Sequence, residues 1–296
     1  MIRSVFRRTR FLLALAFAAA LSGAVPRPAA AQGTDTTAVA RDTLYEVRLT
    51  DGSVMYGRVV ESTGERVVIR TQAGAMVTVE LAQVASMEPA RGRVVQGRVW
   101  REDPNATRLF FGPTGRAVGK GRGYLGVYEV LFPFVTYGVT DQFSISGGTP
   151  VIPGIVGEVF YIAPKFTLVE TDRMAVATGV LAGSTGDYTA GVVYGVGTFG
   201  DRDRAASVGV GFGFSNGDFE SQPVVMAGGE MRVGAQTKLI TENYFAPGES
   251  GAVLSGGIRF FGERLSADFG LFTAVTGEGC DDDECFFPLV NFVYSF

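Results

Sequence analysis

The chain has 296 residues, with 26 Lys and Arg against 30 Asp and Glu, and it contains no histidine, which excludes catalytic sites and metal centres that depend on imidazole. Glycine (41), Phe (23) and Tyr (10) are abundant while charged residues make up only 19%, a composition that favours β-structure. After residue 31 there is no run of the roughly 18 apolar residues that a membrane-spanning helix needs.

Residues 1–31 predict a secretory signal peptide. Arginines between Arg3 and Arg10 form a basic region, Phe11–Leu21 is apolar, and small residues precede Gln32, so we expect cleavage after Ala31. Cleavage leaves 265 residues and removes five Arg and no acid, so the mature chain has 21 basic against 30 acidic residues, a net charge of −9. This balance argues against nucleic acid as a partner.

A polar linker over residues 32–43 precedes a predicted small β domain over residues 44–88. The predicted strands cover 44–50, 54–61, 66–71, 76–81 and 84–87, separated by turn residues such as Asp51-Gly52, Gly64 and Gly74. This order of short strands resembles SH3-like or Sm-like barrels. An Sm-like domain implies RNA, whereas an exported acidic chain favours a structural or protein-contact module with an envelope protein as its partner.

Residues 89–105 form a polar connection, and the chain beyond it is repetitive. Short polar turns recur at intervals of about 30 residues, the length of one hairpin. They are Thr140–Gln142, Thr171–Arg173, Gly200–Arg204, Gly234–Gln236 and Gly262–Arg264. The predicted strands cover 107–112, 123–139, 142–152, 156–170, 174–184, 188–199, 205–215, 222–233, 237–246, 251–261, 265–275 and 286–296. The fold predicted for residues 106–296 is an antiparallel transmembrane β-barrel of about twelve strands, in an all-β chain.

Two neighbouring predicted strands have one apolar face and one face made largely of glycine. The apolar residues are Ala190, Val192, Tyr194 and Val196 in the first strand, and Ala206, Val208, Val210, Phe212 and Phe214 in the second. Glycine suits a solvated sheet face poorly, because such faces carry polar side chains. We therefore expect the apolar sets to face lipid and the glycine-rich sets to face a narrow lumen.

The last predicted strand carries aromatic and apolar residues in strict alternation. They are Phe286, Val290, Phe292, Tyr294 and Phe296. With this ending, residues 106–296 resemble bacterial outer-membrane β-barrel proteins. The resemblance implies an outer-membrane location with membrane lipid as surroundings, and it implies that the barrel-assembly machinery reads Phe292, Tyr294 and Phe296 as an assembly signal.

Eight charged residues lie in the opposite phase to the apolar residues of their strands. They are Glu129, Lys165, Glu230, Arg232, Lys238, Glu242, Arg259 and Asp268. Since Lys or Arg on the lipid face costs roughly 2–4 kcal/mol at mid-depth, we expect all eight to face the lumen. Four acids and four bases have two interpretations: they pair and plug the barrel, or they line a narrow polar path for small solutes.

Cys280 and Cys285 enclose an acidic loop before the last strand, and we expect them to form a disulfide in an oxidising compartment. A cation site among the acids is the alternative, but the acids lack the alternating spacing of known calcium loops. The sequence predicts no catalytic residues, no metal and no cofactor. Two functions remain: a narrow channel or structural porin-like barrel with a periplasmic N-terminal module, and a non-conducting membrane anchor whose small domain binds an envelope partner.

Overall fold

The structure is a computed structural model that describes residues 43–71, 73–90, 92–95, 98–153, 156–247, 251–276 and 286–296. The predicted signal peptide, residues 32–42 of the predicted linker, and both cysteines lie outside the described residues. The chain divides into two compact units between Glu102 and Asp103. Among the described residues, no helix is long and apolar enough to cross a bilayer.

The N-terminal unit is a five-stranded antiparallel sheet. Its strands are β1 (Leu44–Leu49), β2 (Val54–Ser62), β3 (Arg66–Thr71), β4 (Met76–Glu80) and β5 (Val84–Pro89), with a short 3-10 helix at Leu81–Gln83 and a separate hairpin of β6 (Gly92–Val95) and β7 (Arg98–Arg101). The sheet order is β4-β3-β2-β1-β5. All five strands predicted between residues 44 and 88 are present within a few residues of their expected bounds. The likeness to SH3-like or Sm-like barrels stays a prediction, because the pairings found among the described residues leave the sheet open.

Alternation of side chains creates the core of this sheet. In β3, Val67 and Ile69 are fully buried while Arg66 and Arg70 point outward, as expected for a strand with one buried face. Gly57 in β2 allows β3 to approach, since a Cβ there would lie 2.3 Å from Cγ2 of Ile69. At the β1–β2 turn, the pKa of the Asp51 carboxyl is lowered because it accepts a hydrogen bond from the Ser53 N–H at 2.8 Å.

Residues 123–296 form a closed barrel of twelve strands. They are β8 (Gly123–Tyr128), β9 (Phe132–Gly138), β10 (Phe143–Gly148), β11 (Phe160–Glu170), β12 (Met174–Ser184), β13 (Thr189–Gly200), β14 (Arg204–Ser215), β15 (Asp218–Gly234), β16 (Thr237–Phe245), β17 (Gly251–Phe261), β18 (Leu265–Thr276) and β19 (Phe286–Ser295). Consecutive strands pair antiparallel, and β19 pairs with β8 to close the barrel. The predicted fold of an all-β chain with a barrel of about twelve strands is confirmed.

Two of the predicted strands were wrong, although the total is correct. Gly123–Val139 is not one strand but the hairpin of β8 and β9, because Glu129 and Val130 adopt φ values of 49° and 62° and reverse the chain. Residues other than glycine seldom adopt such values, so the turn had no sequence signal. Thr107–Gly112 is not a strand of the barrel wall and lies inside the barrel instead.

The outer face of the barrel is apolar, and the inner face contains most of the buried polar residues. In β14 the outward residues include Val208, Val210 and Phe212, as predicted. In β13 the prediction was wrong: Val196 is 3% exposed and faces inward, whereas Val193 and Phe199 face outward. The reason is that the inside of this barrel is occupied, so the inward face of β13 contacts apolar side chains rather than water.

Candidate functional site

We call residues 103–122 the lumen segment: residues 103–118 occupy the interior of the barrel, and residues 120–122 are exposed. It turns back on itself at its tip, where the Leu109 N–H donates to the Gly112 carbonyl at 2.9 Å and the Thr114 N–H donates to the Thr107 carbonyl at 3.0 Å. Arg108 and Pro113 also form an isolated antiparallel β-bridge. Most of the other hydrogen-bond partners of the segment belong to the barrel wall. The chain then leaves the interior and begins β8 at Gly123.

Glu242 of β16 holds the tip of the lumen segment. Its Oε2 accepts hydrogen bonds from the N–H groups of Phe110 (2.7 Å) and Phe111 (3.0 Å), and its Oε1 accepts from the N–H of Gly112 (3.0 Å) and from the Tyr244 hydroxyl (2.6 Å). A tight turn inside a protein leaves N–H groups that no strand partner can satisfy. One fully buried carboxylate satisfies three of them here, and we call this arrangement the tip latch.

The wall is adapted around Glu242. Regular pairing of β16 with β17 stops at Ile240 and resumes at Tyr244. Between these points the Ser255 hydroxyl accepts from the Glu242 N–H at 2.9 Å and donates to the Glu242 carbonyl at 2.6 Å. Ser255 therefore fixes the backbone of the latch residue from the neighbouring strand, a role that its sequence position does not reveal.

A chain of alternating charges joins the two arms of the lumen segment to the wall. Its order is Arg116, Glu230, Lys238, Asp103, Arg259, Asp268 and Arg108, of which Asp103, Arg108 and Arg116 belong to the lumen segment. Lys238 Nζ lies 2.6 Å from a Glu230 oxygen and 3.1 Å from an Asp103 oxygen. Every side chain in the chain is buried, so each charge depends on its neighbours.

Arg259 is the wall residue with the most contacts to the lumen segment. Its Nε and Nη2 donate to the two oxygens of Asp268 at 2.6 and 3.0 Å, a bidentate pair within the wall. Its remaining N–H groups donate to backbone carbonyls of the lumen segment, among them those of Asn105 (2.9 Å) and Leu109. The guanidinium suits this position because it offers five donors in a fixed plane.

The return arm of the lumen segment is held by hydrogen bonds of similar kind. Lys165 Nζ donates to the carbonyls of Arg116 (2.7 Å) and Thr114 (3.2 Å), and the Gly115 N–H donates to the Thr198 hydroxyl at 2.9 Å. A Cβ on Gly115 would lie 2.2 Å from the Ala175 carbonyl oxygen, so only glycine allows the arm to lie this close to the wall.

Apolar contacts complete the filling of the lumen around the tip. Phe110 is fully buried, and its ring meets Phe272 edge-on with centroids 5.7 Å apart. The cluster consists of Leu109, Phe110, Ala177, Val196, Met226, Ile240, Phe272 and Leu289. Wall residues from several strands therefore surround the tip, and this explains why Val196 faces inward.

The structure places seven of the eight charged residues predicted to face the lumen inside the barrel. They are Lys165, Glu230, Arg232, Lys238, Glu242, Arg259 and Asp268. Arg232 pairs with Asp203 at 2.7 Å near the end of the barrel. Glu129 lies elsewhere, in the β8–β9 turn, where its carboxylate accepts from the Val290 N–H at 3.0 Å. The alternation of side chains predicts which face a charged residue occupies only within a strand. Glu129 comes directly after the end of β8, so the rule does not apply to it.

Sequence reasoning missed the partners of these charges. Asp103, Arg108 and Arg116 fell in stretches interpreted as a connection, a wall strand and a loop, and no strand periodicity applies to them. The available signal was two arginines, Arg108 and Arg116, that follow the Pro-Asn pair at 104–105 in a stretch with no clear alternation.

The proposed assembly residues lie on the outer face of β19. Phe292 and Tyr294 are 44% exposed and Phe296 is 54% exposed, while the intervening Val293 is buried. Phe296 also completes the seam, since its N–H donates to the Gly123 carbonyl at 2.9 Å and its carbonyl accepts from the Gly123 N–H at 3.1 Å. The disulfide between Cys280 and Cys285 stays a prediction.

No protein-family model and no curated protein matches this sequence. Among solved structures, the chain is similar to the KdgM porin in complex with disordered oligogalacturonate (9% identity, TM-score 0.45, covering 59% of this chain and 98% of that one). It is also similar to the NanC porin (8%, 0.37, 59% and 97%) and to OmpT, an outer membrane protein of Vibrio cholerae in its trimer form (12%, 0.34, 86% and 96%). At these TM-scores the likeness carries no functional argument.

The chain has the fold of a bacterial outer-membrane β-barrel protein. The closed twelve-strand antiparallel barrel, its apolar outer face and its charged interior carry this statement by themselves.

Proposed function

We propose that the protein is an integral outer-membrane barrel of porin-like architecture whose own lumen segment closes it in the ground state. The observation that carries the proposal is the tip latch, in which one buried carboxylate of the wall holds three N–H groups of residues 110–112 in the middle of the lumen. An outer face with exposed apolar residues such as Val208, Phe269 and Leu271 suits lipid, because a bilayer removes these side chains from water.

The tip latch also bears on the two interpretations of the lumen charges. Wall charges pair with Asp103, Arg108 and Arg116 of the lumen segment, as well as with each other. A path for solutes would need the space that these side chains fill. The contacts therefore favour the plugged barrel as the ground state.

The lengths of the turns support an orientation of the barrel in the membrane. Outer-membrane barrels have short periplasmic turns and longer external loops. The connections 139–142, 171–173, 201–203, 235–236 and 262–264 are all short and lie at one end, whereas the other end has the two longest connections, 149–159 and 277–285, beside short ones such as 185–188 and 216–217. Asp103 contacts Lys238 and Arg259, which lie close to the short-turn end. We place this end, and with it the residues before Asp103, in the periplasm, where the five-stranded unit would contact an envelope protein.

Membrane fractionation followed by gel electrophoresis with and without heating tests the proposal. We expect the mature chain, beginning at Gln32, in the outer-membrane fraction and with a folded form that migrates differently until it is boiled. In planar bilayers the folded protein should stay near the baseline current. An intact chain in the soluble periplasmic fraction, or a steady open current, would contradict the proposal.

A further inference from the structure

The lumen segment enters and leaves the barrel by the same end. Asp103 lies beside Lys238 and Arg259, and on the return arm the Ala117 N–H donates to Glu170 at the end of β11. Farther on, the Lys120 N–H donates to Asp141 in the β9–β10 turn. Only the tip reaches the middle of the lumen. A chain that enters and leaves by one mouth can be withdrawn without threading a terminus through the barrel.

Most of the contacts that hold the two arms of the lumen segment are polar contacts that water can replace. Apart from apolar contacts of Leu109, Phe110 and Phe111 at the tip and of Val118 on the return arm, the arms are held by ion pairs and by hydrogen bonds with side chains such as Lys165, Arg259 and Thr198. A permanent filling would gain nothing from buried charges, because well-packed apolar residues are often as stable or more stable. Charged walls, by contrast, remain well solvated when the lumen fills with water.

On the basis of these two features, we propose that the lumen segment is a displaceable gate, and that the tip latch at Glu242 sets how often it opens. The proposal rests on the proposed function, since it assumes that the barrel lies in a membrane. When the segment leaves, it takes Asp103, Arg108 and Arg116 with it. The opened lumen then presents Lys165, Lys238 and Arg259 against Glu230, Glu242 and Asp268, three charges of each sign, while Arg232 stays paired with Asp203 near the end of the barrel. Such a path admits small polar solutes and has little preference between cations and anions.

A redox-controlled cross-link tests the displacement. A Cβ on Gly112 would lie 2.4 Å from Sδ of Met226 and 3.1 Å from the Tyr244 hydroxyl oxygen, so Gly112→Cys with Met226→Cys brings two thiols near each other and removes the nearer of these two atoms. Both native cysteines are replaced by serine in this variant. In planar bilayers under an applied voltage, we expect openings only after reduction, and their loss on reoxidation. Equal currents in the reduced and oxidised forms would overturn the gate.

Weakening the latch provides an independent test. Glu242→Ala leaves three buried N–H groups without an acceptor in the closed state only, so the fraction of time spent open should rise by at least about tenfold. The matched control is Asp187→Ala, an exposed carboxylate in the β12–β13 turn. The openings of the reduced Gly112→Cys, Met226→Cys variant, which keeps all six charges, should reverse near zero voltage in a salt gradient. An unchanged open fraction in a heat-modifiable Glu242→Ala barrel, or strong selectivity for one sign of charge, would contradict the proposal, while membrane insertion itself would still support the proposed function.

Discussion

Lys238 shows what a single residue does inside this barrel. Its ammonium group is fully buried between Glu230 of the wall and Asp103 of the lumen segment, and it therefore joins the two parts electrostatically. A buried ion pair adds little compared with apolar packing, yet removal of one partner leaves the others uncompensated. A substitution at Lys238 therefore tests how strongly contacts with the wall stabilise the lumen segment.

We predict that Lys238→Met destabilises the folded barrel by about 3–5 kcal/mol, because the carboxylates of Glu230 and Asp103 would lose a shared cation without access to water. The measurement is the urea midpoint of the heat-modifiable band in detergent. Lys120→Met is the control, since that side chain is exposed and should shift stability by less than about 0.5 kcal/mol. Equal midpoints for the two variants would show that the charge chain adds nothing.

At this scale the sequence predicts the wall charges but not their partners. Lys165 and Arg259 could be located by phase, because a strand turns alternate side chains to one face. Arg108 and Arg116 could not, since an irregular segment inside a barrel has no periodicity. The interior position of residues 103–122 depends on three-dimensional contacts with Glu242 and Arg259 that no local pattern encodes.

Among the elements, β13 and β14 show how the contents of the lumen decide the phase of a strand. Both strands alternate apolar residues with glycine, and the sequence favoured an outward apolar face for each. In β14 glycines such as Gly209 and Gly211 do face inward, while in β13 Tyr194 and Val196 face inward and pack around the tip. The apolar face of a strand can contact either lipid or an apolar interior. Alternation alone therefore does not determine which face of the strand points outward.

The phase of β13 can be measured by fluorescence quenching. In a Trp100→Phe background, tryptophan at Val193→Trp should be quenched strongly by lipids with brominated acyl chains, because that side chain faces outward. Tyr194→Trp places the tryptophan at the adjacent inward position, where the native side chain is also a large aromatic one. This tryptophan should be quenched only weakly. The reverse order would mean that the phase predicted from the sequence is right after all.

The last strand combines two roles in Phe296. Its backbone pairs with Gly123 across the seam between β19 and β8, and its ring is exposed on the outer face. We predict that Phe296→Ala lowers the yield of heat-modifiable barrel in outer membranes several-fold. Phe286→Ala, which removes an equally exposed ring at the other end of the same strand, should lower it less. Equal yields would argue that the terminal aromatic is not read during assembly.

On the scale of the whole molecule, the protein is a twelve-strand barrel with an occupied interior, preceded in the chain by a separate five-stranded unit. The class of fold was predictable because barrel strands repeat at the length of one hairpin, and because lipid requires an apolar outer face. The occupied interior was not predictable from the sequence, because it depends on one irregular stretch that fills the space enclosed by the twelve strands.

The presence of the lumen segment inside the membrane-inserted barrel is the central claim, and cross-linking in native outer membranes tests it most directly. In a Cys280→Ser, Cys285→Ser background, Gly112→Cys and Met226→Cys should become oxidised almost completely, and mass spectrometry of the unreduced, folded barrel should find the peptides that carry residues 112 and 226 joined. Two free thiols in a barrel that is fully inserted and heat-modifiable would show that residues 103–122 do not lie where the structure places them.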